Sequence, residues 1–139
     1  MVDRTVLAAK IAAIQDAVAR IAFMLPAEAG AFVEDRTVRE VVTLNLLVAV
    51  QETIALATHW IADEGWDVPH TQGDVFTILA TRDVIDSELA ARLRSAAGLR
   101  NLIAHRYGAI DYHRLFSIAA KDTGDLTRFC QQLARRAGV

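Results

Sequence analysis

Apolar residues recur near a 3.6-residue period along most of the chain, and the interruptions of that pattern divide it into helices. The first predicted helix spans residues 3–25, where Val6, Ala9, Ile11, Ile14, Val18, Ile21 and Leu25 share one period. Asp3 is its expected N-cap and Pro26 its stop. A longer helix is predicted from Glu34 or Asp35 to Glu64, with Gly65 as its C-terminal signal. From Val38 to Leu56 it is apolar on nearly every side, the pattern of a helix at the centre of a bundle. "GWDVPHTQGD" then reads as a loop that tucks Trp66 and Val68 onto the core. Two shorter helices follow, at residues 74–82 and 87–106, separated by "DVIDSE"; Ser87 or Asp86 can cap the second. A last helix, residues 112–136, is expected to be loosened around Thr123 and Gly124.

Composition narrows this to an all-α class. The 139 residues include only 7 Gly and 2 Pro, few connections for long helices, and no internal repeat or linker divides them. An up-and-down bundle of about five helices in a single domain, residues 1–139, is the expectation. The apolar fraction of 53% exceeds what a small monomeric bundle needs, so some helix faces are expected to be covered by a second copy, as in a homodimer. The apolar run from Val41 to Val50 is followed by Gln51 and Glu52 and falls short of the about 20 residues that span a bilayer, so a buried helix and no membrane are expected. The lone Cys130 allows no internal disulfide and no thiolate zinc cluster. It reads as a small core residue that suits a reducing cytoplasm, and the charges at Asp3, Arg4, Lys10 and Asp16 interrupt any signal-peptide pattern at the N-terminus.

Net charge is −2, which excludes a strongly basic nucleic-acid footprint for the chain as a whole, yet the distribution is uneven. Between Glu88 and Asp111 no acidic residue occurs, while Arg92, Arg94, Arg100 and Arg106 all do, giving a local segment that attracts anions. Within it lies "GLRNLIAHRYGAID". On a helical wheel with Arg100 at zero, Asn101 falls near 100° and His105 near 140°, while Leu99, Leu102 and Ile103 occupy an arc from about 200° to 300°. Polar groups therefore share one side and core residues the other. An imidazole moves protons near neutral pH, and a guanidinium holds a phosphate and stabilises its developing charge. Together they suit cleavage of a phosphodiester whose nucleophile is already present, the 2′-hydroxyl of RNA, with no metal and no cofactor. One His per chain is few for two proton transfers, and a symmetric dimer brings two into one cleft.

"RNLIAHRY" resembles the Arg-polar-x3-His motif of the HEPN superfamily, and its Tyr resembles the variant found in HepT-like toxins of MntA/HepT toxin–antitoxin pairs. "LNLLVAVQETIALATHWIADEGWDVP" is similar to that family's long second helix, and "FTILATRDVIDSELAARLRSAAGLRN" to its approach to the active site. The resemblance covers residues 35–112. It implies a dimeric helical bundle that cleaves RNA without metal at a cleft shared by two motifs. Arg100 would bind and polarise the scissile phosphate, Asn101 would orient the site, and His105 would act as general base or acid. Tyr107 would receive AMP from a minimal nucleotidyltransferase antitoxin, which blocks the cleft by bulk and negative charge. Ala104 stands where the family commonly has Val.

A second reading has the chain as a non-catalytic HEPN subunit that binds nucleotide or presents substrate to such a nucleotidyltransferase, and a third as a purely structural helical interaction protein. Several residues have simpler expectations. Gly98 inside a helix costs about 1 kcal/mol relative to Ala, which close helix approach at a dimer seam or a simple local kink would explain. His59 and Asp63, spaced i, i+4, read as a hydrogen-bonded surface pair rather than as metal ligands, and Trp60 and Trp66 as core and loop anchors. His70 and His113 read as surface residues, and Arg135 and Arg136 as complements to the last helix dipole.

Overall fold

A computed structural model describes residues 1–105 and 110–139; at residues 100–102, 104 and 105 it describes the helical backbone and not the side chains. Seven helical segments occur among the described residues: α1 (Arg4–Met24), α2 (Ala29–Glu34), α3 (Arg36–Glu64), α4 (Asp74–Thr81), α5 (Ser87–His105), α6 (Tyr112–Lys121) and α7 (Thr123–Ala137). Asp3 caps α1 as expected, its carboxylate accepting from the N–H groups of Thr5 and Val6 at 2.9 and 3.2 Å. Asp35 caps α3 through the Val38 N–H, and Gly65 ends it at φ 71°, a left-handed conformation that glycine adopts without a Cβ penalty.

Two segments depart from the expected five helices. The short α2 was not foreseen, because six residues are too few to display a period. It buries Phe32, which is 0% exposed and packs edge-on to Tyr112 and tilted against Phe116 of α6. The expected last helix is two helices, broken at Asp122, where "DTG" combines three residues of poor helix propensity and the Thr123 hydroxyl bonds back to the Ala119 carbonyl.

α3 packs against all six other helices, as its all-round apolar pattern requires. Taken whole, its 29 residues and a mean hydropathy of 1.6 over the most apolar stretch are enough by length and composition to cross a bilayer. The argument from the short Val41–Val50 run therefore does not carry over to the complete helix. Its position accounts for the apolarity instead: Val42, Leu46, Ala49, Val50, Leu56, Ala57 and Ile61 are all buried among its neighbours.

The core has two parts arranged along the bundle. One joins α1, α3, α4, α7 and the first half of α5, with Phe76 and Phe129 edge to face at 5.9 Å. The other joins the end of α1, α2, the first half of α3, the end of α5 and α6, through Ile21, Phe32, Val42, Leu46, Leu99, Ile103, Leu115 and Ala119. The C-terminal end of α5, where the Arg/His motif falls, rests on this second part.

Candidate active site on the fifth helix

α5 is fastened at its start by a reciprocal clasp. Asp86, the residue before its first turn, accepts the Leu89 N–H at 2.7 Å, so of the two expected caps it is Asp86 that acts. Its second carboxylate oxygen accepts from the Gln132 amide at 2.7 Å, and its own N–H donates to the Gln132 carbonyl oxygen at 3.0 Å. The Leu89 N–H, then Gln132, with Arg128 and Arg92 nearby, hold the Asp86 carboxyl below its ordinary pKa. From there Leu89, Leu93 and Ala97 run buried into the bundle, and Leu99 and Ile103 continue the seam at 9% and 4% exposure. These last two were predicted as core; Leu102, the third, has its side chain outside the described residues.

The helical backbone extends through Arg100, Asn101 and His105, whose side chains lie outside the described residues. By register, positions 101 and 105 sit about 160° around the helix from the buried pair 99 and 103, the separation of polar and core sides that the wheel predicted. Tyr107 lies outside the described residues altogether. Beyond it the chain is fixed again: Asp111 caps α6 through the Arg114 N–H at 3.1 Å, and Tyr112 packs on Phe32 with the Arg39 guanidinium 4.8 Å from its ring centre. Arg39 also donates to the Val33 carbonyl, so α2, α3 and the start of α6 are tied at one point. Nothing local in the sequence signals this tie.

The arginine-rich window is less free than its sequence implies. Arg92 pairs with Glu88 at 2.8 Å and with Asp125 of α7 at 3.3 Å, and Arg94 donates to the Thr77 hydroxyl at 2.8 Å. Two of its four cations thus brace α5 against α4 and α7. An open cleft of about 750 Å³ lies beside the same helix, between α3, α5, α6 and α7. Leu46, Val50, Leu99 and Leu126 form its apolar lining and Arg92, Arg114, Asp122 and Asp125 its charged one. Sequence reasoning missed the cleft, which exists only once α6 and α7 fold back along α5.

The remaining candidates take structural roles. His59 Nε2 lies 3.0 Å from Asp63 Oδ2, which also accepts the Asp3 N–H at 2.9 Å, tying α3 to the start of α1. No group of three metal-binding side chains joins them among the described residues. Trp60 is core at 3% exposure, and Trp66 anchors the loop beneath the Arg82 guanidinium at 4.9 Å. Val68 is 83% exposed, not tucked in; only Trp66 of that loop packs on the core. Cys130 is buried, and burial pushes its thiol up to about 11.

Residues 14–133 match the family described as ribonuclease HepT-like. The chain is 28% identical over 120 residues to the mRNA nuclease HepT of Shewanella oneidensis, covering 86% of this chain and 90% of that one. A putative RNase of Archaeoglobus fulgidus is 29% identical over 89 residues, 64% of this chain and 67% of that one. Among solved structures, the fold is similar to the tri-AMPylated Shewanella oneidensis HEPN toxin in complex with its MNT antitoxin, with a TM-score of 0.86 and 26% identity over 97% of this chain and 99% of that one. The match spans both parts of the core and the whole of the motif helix, and the chain belongs to the ribonuclease HepT-like family of HEPN toxins.

Proposed function

We propose that this protein is a single-domain, cytoplasmic, metal-independent endoribonuclease toxin that works as a homodimer and is silenced by AMP transfer from an MntA-type nucleotidyltransferase antitoxin. What supports this is the motif helix, a capped, core-docked α5 whose backbone runs through positions 100, 101 and 105, in a chain that matches an AMPylated HEPN toxin along nearly its full length. In this reading His105 takes the proton of a 2′-hydroxyl, and the resulting oxygen attacks the adjacent phosphorus. The P–O bond to the 5′-oxygen breaks, and that oxygen leaves with a proton supplied by the second His105. Arg100 neutralises the charge that builds on the phosphoryl oxygens, and Asn101 orients the site. AMP on Tyr107, two residues beyond the base, adds a phosphodiester charge and an adenosine where RNA would lie.

RNA cleavage by the purified protein in EDTA, beside Arg100→Ala and His105→Ala, tests the reading. Loss of at least about 100-fold in each variant is expected; wild type and variants behaving alike would leave the non-catalytic, substrate-presenting subunit as the better account. Incubation with the antitoxin and ATP should add AMP to wild type and not to Tyr107→Phe.

A further inference from the structure

We propose that Arg39 and Thr43 are positioning residues for the catalytic motif: the two side chains hold the C-terminal end of α5 and so set the stretch that carries Arg100, Asn101 and His105. This rests on the ribonuclease reading above and extends it to α3. Arg39 and Thr43 are i, i+4 neighbours near the start of α3, on the face that Leu46 and Val50 continue along the cleft beside α5. Each carries a buried polar atom, Arg39 Nε and Thr43 Oγ1, with no hydrogen-bond partner among the described residues, and a buried donor left unmade is costly. A threonine hydroxyl inside a helix can bond back to the carbonyl four residues earlier. Thr53, Thr58, Thr81 and Thr123 all do so, at 2.7 to 3.2 Å, and Thr43 does not. Arg39 donates to the Val33 carbonyl and lies 4.8 Å from the Tyr112 ring centre, yet its charge pairs with no carboxylate among the described residues. Of the acids beside it on the chain, Glu40 is taken by Arg36 at 2.8 Å and Asp35 caps the helix through the Val38 N–H.

Helix register places these two donors at the end of the motif helix. α3 and α5 run antiparallel: Val50 and Ile54 share one part of the core with Leu89 and Leu93, and Val42 and Leu46 share the other with Leu99 and Ile103. Arg39 stands one turn before Val42, about 4.5 Å along the axis, and so beside the point where α5 ends at His105. A helix C-terminus presents carbonyls that no N–H of its own helix satisfies, together with the negative end of its dipole. An unpaired guanidinium and a free hydroxyl are donors that such an end accepts. Arg39 also meets Tyr112, where the chain is fixed again after the motif. Because its Nε is buried, it acts on the groups of the fold and not on a strand of RNA.

Steady-state RNA cleavage by the full chain, read beside hydrogen–deuterium exchange, tests this in Arg39→Met, Thr43→Val and Thr43→Ser. Thr43→Val keeps the shape of the side chain, so it stays informative if Arg39→Met, which also loses the ties to Val33 and Tyr112, fails to fold. Arg39→Met and Thr43→Val should each lower kcat about fivefold or more with KM changed less than about twofold. Thr43→Ser, which keeps the hydroxyl, should recover most of the loss. Backbone amides of residues 102–105 should exchange about tenfold faster in both damaging variants, and those of residues 89–97 at the wild-type rate. Unchanged kcat in both overturns the proposal, as does a raised KM at unchanged kcat, which would put Arg39 on the RNA. Faster exchange spread evenly over α5 and its neighbours, or a Thr43→Ser as impaired as Thr43→Val, reduces the effect to general destabilisation and overturns it too. If the wild type does not cleave RNA, the ribonuclease reading falls, and exchange at residues 102–105 decides the positioning by itself.

Discussion

Replacing Asp86 by Ala removes the fastening of the motif helix without touching the motif. Two bonds to its carboxylate are lost, from the Leu89 N–H and from the Gln132 amide, both at 2.7 Å, together with the looser approach of Arg128 at 3.6 Å. Loss of an N-cap costs about 1 kcal/mol. The side-chain bond to Gln132 adds roughly 1 kcal/mol, and the half-exposed Arg128 pair little. The expected destabilisation is therefore about 2 kcal/mol at pH 7, a fall in Tm of roughly 8 °C for a chain of this size. The carboxyl lies below its ordinary pKa in the folded state, so the stability it confers is present above the unfolded value near 4 and disappears as pH falls through the folded value. Urea unfolding followed by circular dichroism, at one fixed protein concentration, reads both effects. The gap between wild type and Asp86→Ala should be full at pH 7 and narrow below pH 4, with Asp86→Asn intermediate. A gap under about 0.5 kcal/mol at pH 7, or one unchanged at pH 3, would refute the clasp as the anchor of α5.

Other measurements reach different parts of the molecule. Raising the Cys130 thiol to about 11 from 9.0 leaves about 100-fold less thiolate at pH 8, so alkylation of the native protein should be at least that much slower than in urea; equal rates would contradict its burial. Phe32→Ala removes a fully buried ring that holds Tyr112 and Phe116 and should cost about 3–5 kcal/mol by urea titration; a loss below 1 would mean that α2 contributes no packing. Because a Cβ at Gly98 meets nothing within 4 Å in its own chain, Gly98→Ala should raise stability by about 1 kcal/mol through helix propensity, and a decrease would show that the position is closely approached by something outside the protomer's own packing.

The parts of the fold that were readable beforehand are those encoded within a few residues. Asp3 and Asp35 stand where a helix must satisfy its first N–H groups, Gly65 where the backbone turns left-handed, and α3 shows its central position by lacking a polar side. Phe32 could not be placed this way, since a six-residue helix owes its existence to Tyr112 and Phe116 some 80 positions away. The break at Asp122 was visible as weak propensity but not as a helix end. At the site, Arg100, Asn101 and His105 were legible because their chemistry and spacing are local. One of the two partners of Arg92, Asp125, is 33 residues distant, and the meeting of Arg114, Asp122 and Gly98 around one cleft depends on how three helices fold back on α3. Charge counted along the chain overstated the free cations for that reason.

The division of the core along the bundle gives the two ends different thermodynamic lives. Phe76, Phe129 and their many buried neighbours hold the end with α4 and α7, whereas the end with α2 and α6 rests on the smaller group around Phe32, Leu115 and Ile103. Amides of α2 and α6 should therefore exchange with deuterium through local openings, well before those of α3 and α7 exchange through global unfolding. An opening of that kind releases α6 and its anchor Tyr112 while α7 and the first half of α5 stay packed on the larger part of the core, so the toxin can loosen at one end without unfolding.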